Sequence, residues 1–350
     1  MKLAYLYCDP RSLNDATNYY VGLLIKPLQA NGYNVKTVHK LNEIKSPEIM
    51  ITITEKYFFF AKLRFSSAKT IYWAQGVDAE EAKMHIQNFN QFLRFCFRRF
   101  TEPFAITKSD ILMCVSDRQV EYYRDNYGLK DHGQIIVMPC YNLSISGKFD
   151  LKQYDSPVFA YAGNTSVWQG VDFMLDVYAL VEKQLPNATL KLFSGNQEEF
   201  AKKCKDRGIT NYELKYVPVN QLQEELHKCK YGFIIRDNHI VNLVATPTKM
   251  NSYLAAYMIP IFSDGVDDFN KNVQLDEYRL MINCPLDADI AAQEIVNFEK
   301  NHKDFSNYQK VVQAMFANHY NDDKYIKTIS KKMQSFFINN ESTLKSPGLY

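Results

Sequence analysis

Short apolar runs alternate with longer amphipathic stretches along almost the whole of this chain, and that alternation restricts the fold more than any other feature. In the first half the runs are KLAYLYC (2–8), NVKTVH (34–39), IMITIT (49–54), TIYWA (70–74), ILMCVS (111–116) and QIIVMPC (134–140). Each reads as a strand, short and largely apolar between longer amphipathic stretches. The stretches between them predict helices over 15–31, 56–66, 79–100 and 117–127, with Gly32 and Gly128 as stop signals. The second half repeats the theme with strands at 158–163, 189–195, 212–218, 231–236, 259–264 and 279–284. Helices fit there near 170–184, 197–207, 220–228 and 247–257. Strand-helix alternation of this kind builds a parallel sheet covered by helices.

A chain of 350 residues is too long for one ordinary core. Segment 141–157 has no consistent period and holds Asn142, Gly147, Asp150, Asp155 and Pro157, so it reads as a connection. The expected domains are 1–150 and 151–304, both doubly wound α/β, followed by helices over 305–338 with breaks near 301–304 and 320–323, and a tail at 339–350. In open α/β sheets ligands sit at the carboxyl ends of the strands, so a cleft between the two domains is the expected site. The seven cysteines form no CxxC pair and several sit in apolar runs, which points to buried free thiols in a reducing compartment. The N-terminus is interrupted by Asp9-Pro10 too soon for a signal peptide, and no run reaches the ~20 residues of a spanning helix. The chain is expected in the cytoplasm and at most peripheral to a membrane. A net charge of +2 gives no general case for nucleic acid.

Two stretches carry chemistry. VFAYAGNTSVWQG leads from a strand through Gly163, Asn164, Thr165 and Gln169 to a helix start near Gly170. The unpaired amides and positive dipole of such a helix start suit a diphosphate. The turn is no GxGxxG fingerprint, which argues against a nicotinamide cofactor. The second stretch, RDNHIVNLVATPTKMNSYLAAYMIPIFSD, places Arg236 and Asp237 at the end of a buried strand, where charge seldom serves packing alone. Pro247 suits a helix start, and Ala245, Thr246, Thr248 and Lys249 surround it with amides, hydroxyls and an ammonium, an anion cradle. The plainer reading is that Thr246 caps the helix and Lys249 is solvated.

These motifs resemble the C-terminal domain of retaining GT-B glycosyltransferases of the large family-4 type, especially the bacterial surface-polysaccharide branch that serves capsule and lipopolysaccharide. The matching residues are Tyr161-Ala162-Gly163 with Trp168-Gln169-Gly170, then Arg236, Asn242, Val244-Ala245, Pro247-Thr248-Lys249 and Tyr253-Leu254-Ala255. The similarity covers about 157–264 and extends weakly through SLNDATNYYVGLL, YWAQG and VSDRQVEYYRDNYG. The resemblance implies two Rossmann-like domains with parallel sheets facing across a cleft. It also implies a nucleoside-diphosphate-sugar donor, UDP-linked by expectation, on the C-terminal domain, an acceptor on the other, and retention without a metal or other cofactor. Arg236 and Lys249 would stabilise the leaving diphosphate. Gly163, Asn164, Thr165, Gln169, Asn242, Ala245, Thr246 and Thr248 would hold the donor. Asp15 and Thr17 in loop 9–18, with Gln75 and Gly76, would serve the acceptor side.

The chain departs from that pattern. Family members often carry two glutamates eight positions apart, and here Val244 and Ser252 stand there; Gln169 replaces a basic residue. An inactive scaffold or binding subunit and a GT-B nucleotide-sugar epimerase therefore stay open as alternatives. Asp287-Ala288-Asp289 has a metal-binding DxD shape but precedes a helix, where Asp is an ordinary cap; Asp267-Asp268 and Asp322-Asp323 read as surface turns or helix starts. His239 is a ligand contact or a solvated loop residue.

Residues 55–104 hold ten of the 23 Phe, interleaved with Lys56, Lys62, Arg64, Lys69, Arg94, Arg98 and Arg99. In helical register Phe89, Leu93, Cys96 and Phe100 share one face that suits a core, with Arg94 and Arg98 on another. An aromatic-basic helix suits the headgroup level of an anionic bilayer, so this segment is expected to dock the chain on the inner face of the plasma membrane beside a glycan or lipid-linked glycan acceptor. A Phe-rich core with a solvated basic face is the alternative.

Overall fold

The computed structural model describes residues 2–130, 134–145, 147–301 and 304–338; the expected tail lies outside them. The chain divides into two compact units, Met1–Cys140 with Asn321–Tyr350, and Tyr141–Tyr320.

In the first unit six parallel strands, β1 (Lys2–Tyr7), β2 (Tyr33–Val38), β3 (Ile49–Thr52), β4 (Lys69–Ala74), β5 (Ile111–Cys114) and β6 (Gln134–Val137), pair in the order β2-β1-β3-β4-β5-β6. The helices are α1 (Asp15–Ala30), α2 (Glu55–Arg64), α3 (Asp78–Met84), α4 (Phe89–Lys108) and α5 (Asp117–Tyr127). Asn14 starts α1 by accepting from the Thr17 amide at 2.9 Å, and Gly128 ends α5 in the left-handed conformation. β4 runs through the middle of the core, with Tyr72 and Trp73 fully buried. Phe58 and Phe104 pack α2 and α4 against the Tyr72 face, whereas Tyr20 of α1 meets Trp73 on the other. Burying each large apolar side chain contributes about 1.5–3 kcal/mol.

In the second unit six parallel strands, β7 (Val158–Ala162), β8 (Thr189–Phe193), β9 (Tyr212–Lys215), β10 (Tyr231–Ile234), β11 (Ile259–Ser263) and β12 (Leu280–Ile282), pair as β12-β11-β10-β7-β8-β9. The covering helices are α6 (Val171–Gln184), α7 (Gln197–Asp206), α8 (Val219–Leu226), α9 (Ile240–Leu243), α10 (Thr248–Ala255), α11 (Asp267–Asn272), α12 (Ala288–Asn301) and α13 (Tyr308–Asn318). A last helix, α14 (Asp322–Ile338), belongs to the first unit, where Tyr19 of α1 donates to Asp322 at 2.8 Å.

Several expectations differ from this structure. The expected boundary at 150 falls at 140/141, because the side-chain oxygen of Asn251 on α10 accepts from the amides of Asn142 and Leu143 and ties that segment to the second unit. The expected helix 79–100 is two helices: α3 stops at His85 and Asn88 caps a new start by accepting from the Gln91 amide. The stripe of Phe89, Leu93, Cys96 and Phe100 is no core face but is exposed, Phe89 at 71% and Phe100 at 63%. The buried residues of α4 begin only at Thr101 and Glu102. Of the two readings of Asp267-Asp268 the structure shows the helix start, in the first turn of α11, with Asp268 buried and its carboxylate 3.2 Å from His319. Cys8, Cys114, Cys204 and Cys229 are buried free thiols as expected, whereas Cys96 is exposed.

Candidate functional site

The strand order of the second unit reverses between β7 and β10, so the crevice at their carboxyl ends is the position where open α/β sheets take ligands. The two chemistry-bearing stretches leave from those two ends: Gly163 follows β7 and Arg236 follows β10.

The packing of α10 sets the geometry. Tyr253 lies flat on β10, where a Cβ on Gly232 would come within 2.3 Å of its ring. Its hydroxyl accepts from the Ala162 amide of β7 at 3.1 Å, so one side chain spans the two strands that border the crevice. Lys249 sits four residues earlier, on the same helix face. It reaches the Gly163 turn, where a Cβ would meet Cε at 2.8 Å and Nζ at 3.0 Å, and its Nζ lies 5.2 Å from the centre of the Tyr161 ring. Arg236 is fixed from its backbone outward. Ser263, at the end of β11, accepts from its amide at 2.8 Å and donates to its carbonyl, while Gly265 leaves no room for a side chain against that carbonyl. Gly170 has φ +64° and a Cβ there would fall 2.5 Å from the Ile235 carbonyl, so glycine is required for the turn to pass over the end of β10.

The two cations meet on Gln169. Its side-chain oxygen accepts from Lys249 Nζ at 2.7 Å and from an Arg236 guanidinium nitrogen at 3.1 Å. A second guanidinium nitrogen donates to Asn242 Oδ1 at 3.3 Å, and Asn242 in turn donates to the Asp237 carboxylate. Arg236 and Asn242 are buried, and although Lys249 is half-buried as a residue its ammonium is enclosed. Burial first, and the Arg236 charge second, pull that ammonium down from 10.5 to about 7. A neutral amide oxygen thus occupies the point on which two positive groups converge, next to the N-terminus of α6. An anionic oxygen placed there would receive two charge-assisted hydrogen bonds, each contributing about 1.5–3 kcal/mol.

Of the residues singled out in the sequence, Arg236, Lys249, Gln169, Asn242 and Gly163 come together. Thr246 is buried, and Ala245 and Thr248 are half-buried at the α10 start. Pro247, not Thr246, takes the cap position, and no side chain caps that helix. Asn164 is exposed, its carbonyl accepting from the Tyr161 hydroxyl, and the Thr165 hydroxyl turns to Glu199 of α7 at 2.6 Å. Both therefore stand outside the Gln169 cluster. His239 caps α9 by accepting from the Val241 amide at 3.3 Å. Asp287 caps α12 by accepting from the Ile290 amide at 3.0 Å. Among the described residues no three His, Cys, Asp or Glu side chains form a cluster able to hold a metal. At the glutamate positions Val244 is fully buried and Ser252 donates to the Thr248 carbonyl at 3.1 Å.

Sequence reasoning missed Tyr253 and Ser263 as positioning residues; their place at a helix-strand packing position and a strand end was the available signal. It also missed a cavity of about 240 Å³ beside Gly163 at the carboxyl ends of β7 and β8, lined among others by Phe193, Asn196, Tyr216 and Leu222.

In the first unit the reversal lies between β1 and β3. Thr17 is inside the first turn of α1 and buried, and its hydroxyl pairs with Tyr20, which donates to Gln75 Oε1 at 3.1 Å. Gln75 Nε2 is buried with no hydrogen-bond partner among the described residues. The Gly76 carbonyl accepts from Gln119 and Tyr123, both at 2.7 Å. Asp15 is the first residue of α1.

No protein-family model matches this chain, and no curated protein does. Solved structures match along nearly its whole length. One is a sucrose-phosphate synthase from Thermosynechococcus elongatus, 14% identical with a TM-score of 0.65, covering 98% of this chain and 100% of that one. The lipopolysaccharide outer core galactosyltransferase WaaB, in its apo form, gives 12%, 0.68, 96% and 100%. This chain has the GT-B fold. Anabaena HepE, solved in complex with UDP-glucose, shares it at 10% identity and a TM-score of 0.66, covering 95% of this chain and 99% of that one. Identities this low establish the GT-B fold and leave substrate and chemistry to the residues of the site.

Proposed function

We propose that this chain is a retaining, metal-independent glycosyltransferase of the family-4 type. It moves a sugar from a UDP-sugar to a lipid-linked or surface-polysaccharide acceptor at the inner face of the plasma membrane, with the exposed faces of α2 and α4, and not the whole of residues 55–104, against the lipid. The observation that carries the reading is the convergence of Arg236 and Lys249 on Gln169 Oε1 at the β7/β10 reversal. The diphosphate of the donor takes the place of that amide oxygen, and the cavity past Gly163, with the exposed ring of Tyr216 on its wall, takes the base. As the bond from the sugar carbon to the phosphate oxygen breaks, charge grows on the phosphate, and the two cations are already in place to meet it. The acceptor hydroxyl bonds to the same face of that carbon and gives its proton to the departing phosphate oxygen. Gln75, with its unpaired buried Nε2, is assigned to the acceptor side.

The test is calorimetric titration of UDP-sugars into wild type and a Lys249→Ala variant, beside an assay for free UDP and enlarged acceptor. Donor affinity should fall at least about tenfold in the variant, and UDP and product should appear together in wild type. Unchanged affinity removes Lys249 from the site. Turnover of the sugar without an enlarged acceptor identifies an epimerase. Donor binding without turnover identifies an inactive subunit, a reading that Val244 and Ser252 at the glutamate positions favour.

A further inference from the structure

The exposed stripe of α4 belongs to a larger apolar surface of the first unit. Phe60 and Leu63 of α2 are exposed, and Phe59 bridges them to α4 by edge contacts with Phe97 at 6.2 Å and Phe100 at 5.8 Å. At the other end Phe89 stacks on Phe92 at 6.5 Å. Charge on this segment is segregated. Lys56, Arg64, Lys83, Arg94 and Arg99 are exposed, whereas Glu55 and Glu102 are buried and Asp78, Glu80 and Glu81 are half-buried, so the carboxylates of residues 55–104 sit deeper than these cations. A large exposed apolar surface calls for an occupant. One on which exposed cations outnumber exposed carboxylates, Asp110 beside Lys62 being the exception, fits an anionic bilayer, into which aromatic rings enter at headgroup depth.

The arginines of α4 do different work. Arg98 turns inward: its guanidinium donates to the Asp78 carbonyl at 3.0 Å and lies 3.5 Å from the carboxyl groups of both Glu55 and Asp78, so it is engaged within the fold and is not a lipid contact. Arg94, one turn earlier, makes no hydrogen bond or ion pair among the described residues. It lines a cavity of about 300 Å³ between α3 and α4, with Glu81, Ala82, His85, Gln91 and Arg98. The Glu81 carboxylate also lies against the Gly76 turn, where a Cβ would be 2.7 Å from it, and of the charged residues lining the cavity Arg94 is the exposed one with no ion pair among the described residues. The flanking residues Leu93 and Phe89 are apolar and exposed.

Resting on the membrane-held acceptor proposed above, we infer that the α3–α4 cavity is a lipid-phosphate site: one headgroup phosphate enters it against the Arg94 guanidinium, with the Gln91 amide as a further donor, while Phe89, Leu93 and Phe100 enter the acyl boundary. A guanidinium fork binds a phosphate through two parallel hydrogen bonds that an ammonium cannot reproduce.

That difference supplies the test. Full-length protein is floated with vesicles of phosphatidylcholine alone or with added phosphatidylglycerol. Wild type should bind the anionic vesicles and not the neutral ones. A Phe89→Ser/Leu93→Ser double variant should lose binding. Arg94→Lys, which keeps the charge, should weaken binding about tenfold, while Arg64→Lys, outside the cavity, should leave it unchanged; thermal melting of each variant checks folding. Wild-type affinity in Arg94→Lys, or equal loss in Arg64→Lys, overturns the phosphate site and leaves diffuse attraction. Absence of wild-type binding, or a dimer in sedimentation that Phe89→Ser/Leu93→Ser breaks, overturns the membrane surface itself. UDP-sugar titration of the same samples is independent of vesicles, so failure here is separable from failure of the donor reading.

Discussion

The ammonium of Lys249 should make donor affinity depend on pH in a direction and window fixed by the site. Enclosure and the neighbouring Arg236 bring it down to about 7, so at neutral pH about half of the empty protein carries it uncharged. A diphosphate at the position of Gln169 Oε1 binds the charged form and raises the ammonium's affinity for its proton, so binding takes up protons from solution. With free-protein titration near 7, the charged fraction falls from about nine-tenths at pH 6 to about one-tenth at pH 8, a loss of about tenfold in apparent affinity, or about 1.4 kcal/mol. UDP-sugars suit the measurement because both phosphates stay ionised over this range, so the ligand adds no titration of its own. Calorimetry in buffers of different ionisation enthalpy should report uptake of about half a proton at pH 7. A Lys249→Arg variant, charged throughout, should show a flat affinity over the same range. A flat profile in wild type, or the wild-type slope retained in Lys249→Met, would refute the placement of this ammonium on the phosphates.

Two further predictions concern charge in each unit. Gln169→Glu puts a carboxylate between Arg236 and Lys249, so the free protein should melt higher while UDP-sugar affinity falls at least about tenfold through repulsion; tighter donor binding would show that residue 169 does not face the phosphates. In the first unit Glu55 is held above the usual carboxylate range, by burial first and by Asp78 second. The folded state therefore keeps a proton that the unfolded chain releases, and this stability, complete at acid pH, is lost as pH rises through the folded-state value. Relative to wild type, Glu55→Gln should lose less melting temperature between pH 6 and pH 9; parallel curves would place the titration elsewhere.

How much of this was written in the sequence follows from distance along the chain. The strands and most helices were legible because each depends on its own run of residues, and the Arg236 and Lys249 loops were legible because strand ends and a Pro-Thr-Lys helix start are local signals. The meeting of those loops on Gln169 was not, since it depends on Tyr253 lying over Gly232 and on Ser263 gripping Arg236 from another strand. Thr165 looked equivalent to Gln169 in the same turn, yet Glu199 of α7 claims its hydroxyl. The α4 stripe shows the opposite failure. Phe89, Leu93, Cys96 and Phe100 have core-like spacing, but periodicity reports only that one face is apolar and not what covers it.

The absence of glutamates at 244 and 252 would give the proposed donor site a character of its own. Val244 is fully buried and Ser252 turns back onto Thr248, so neither offers a carboxylate for sugar or ribose hydroxyls. The charged groups tied to Gln169 by hydrogen bonds among the described residues are Arg236 and Lys249, with the Asp237 carboxylate reached through Asn242, which already engages it. Recognition should then reside in the phosphates, where charge-assisted bonds are strong, and little in the sugar, whose neutral hydroxyl contacts are worth about 0.5–1.5 kcal/mol each. UDP, with the same diphosphate and a further titratable charge, should bind at least as tightly as any UDP-sugar, and a panel of UDP-sugars should differ among themselves by less than about tenfold. The measurement is a displacement titration across the panel at pH 7. A single sugar that adds tenfold or more over UDP would mean that polar groups other than the paired carboxylates have been recruited to read it, and would move the specificity from the cation pair to those groups.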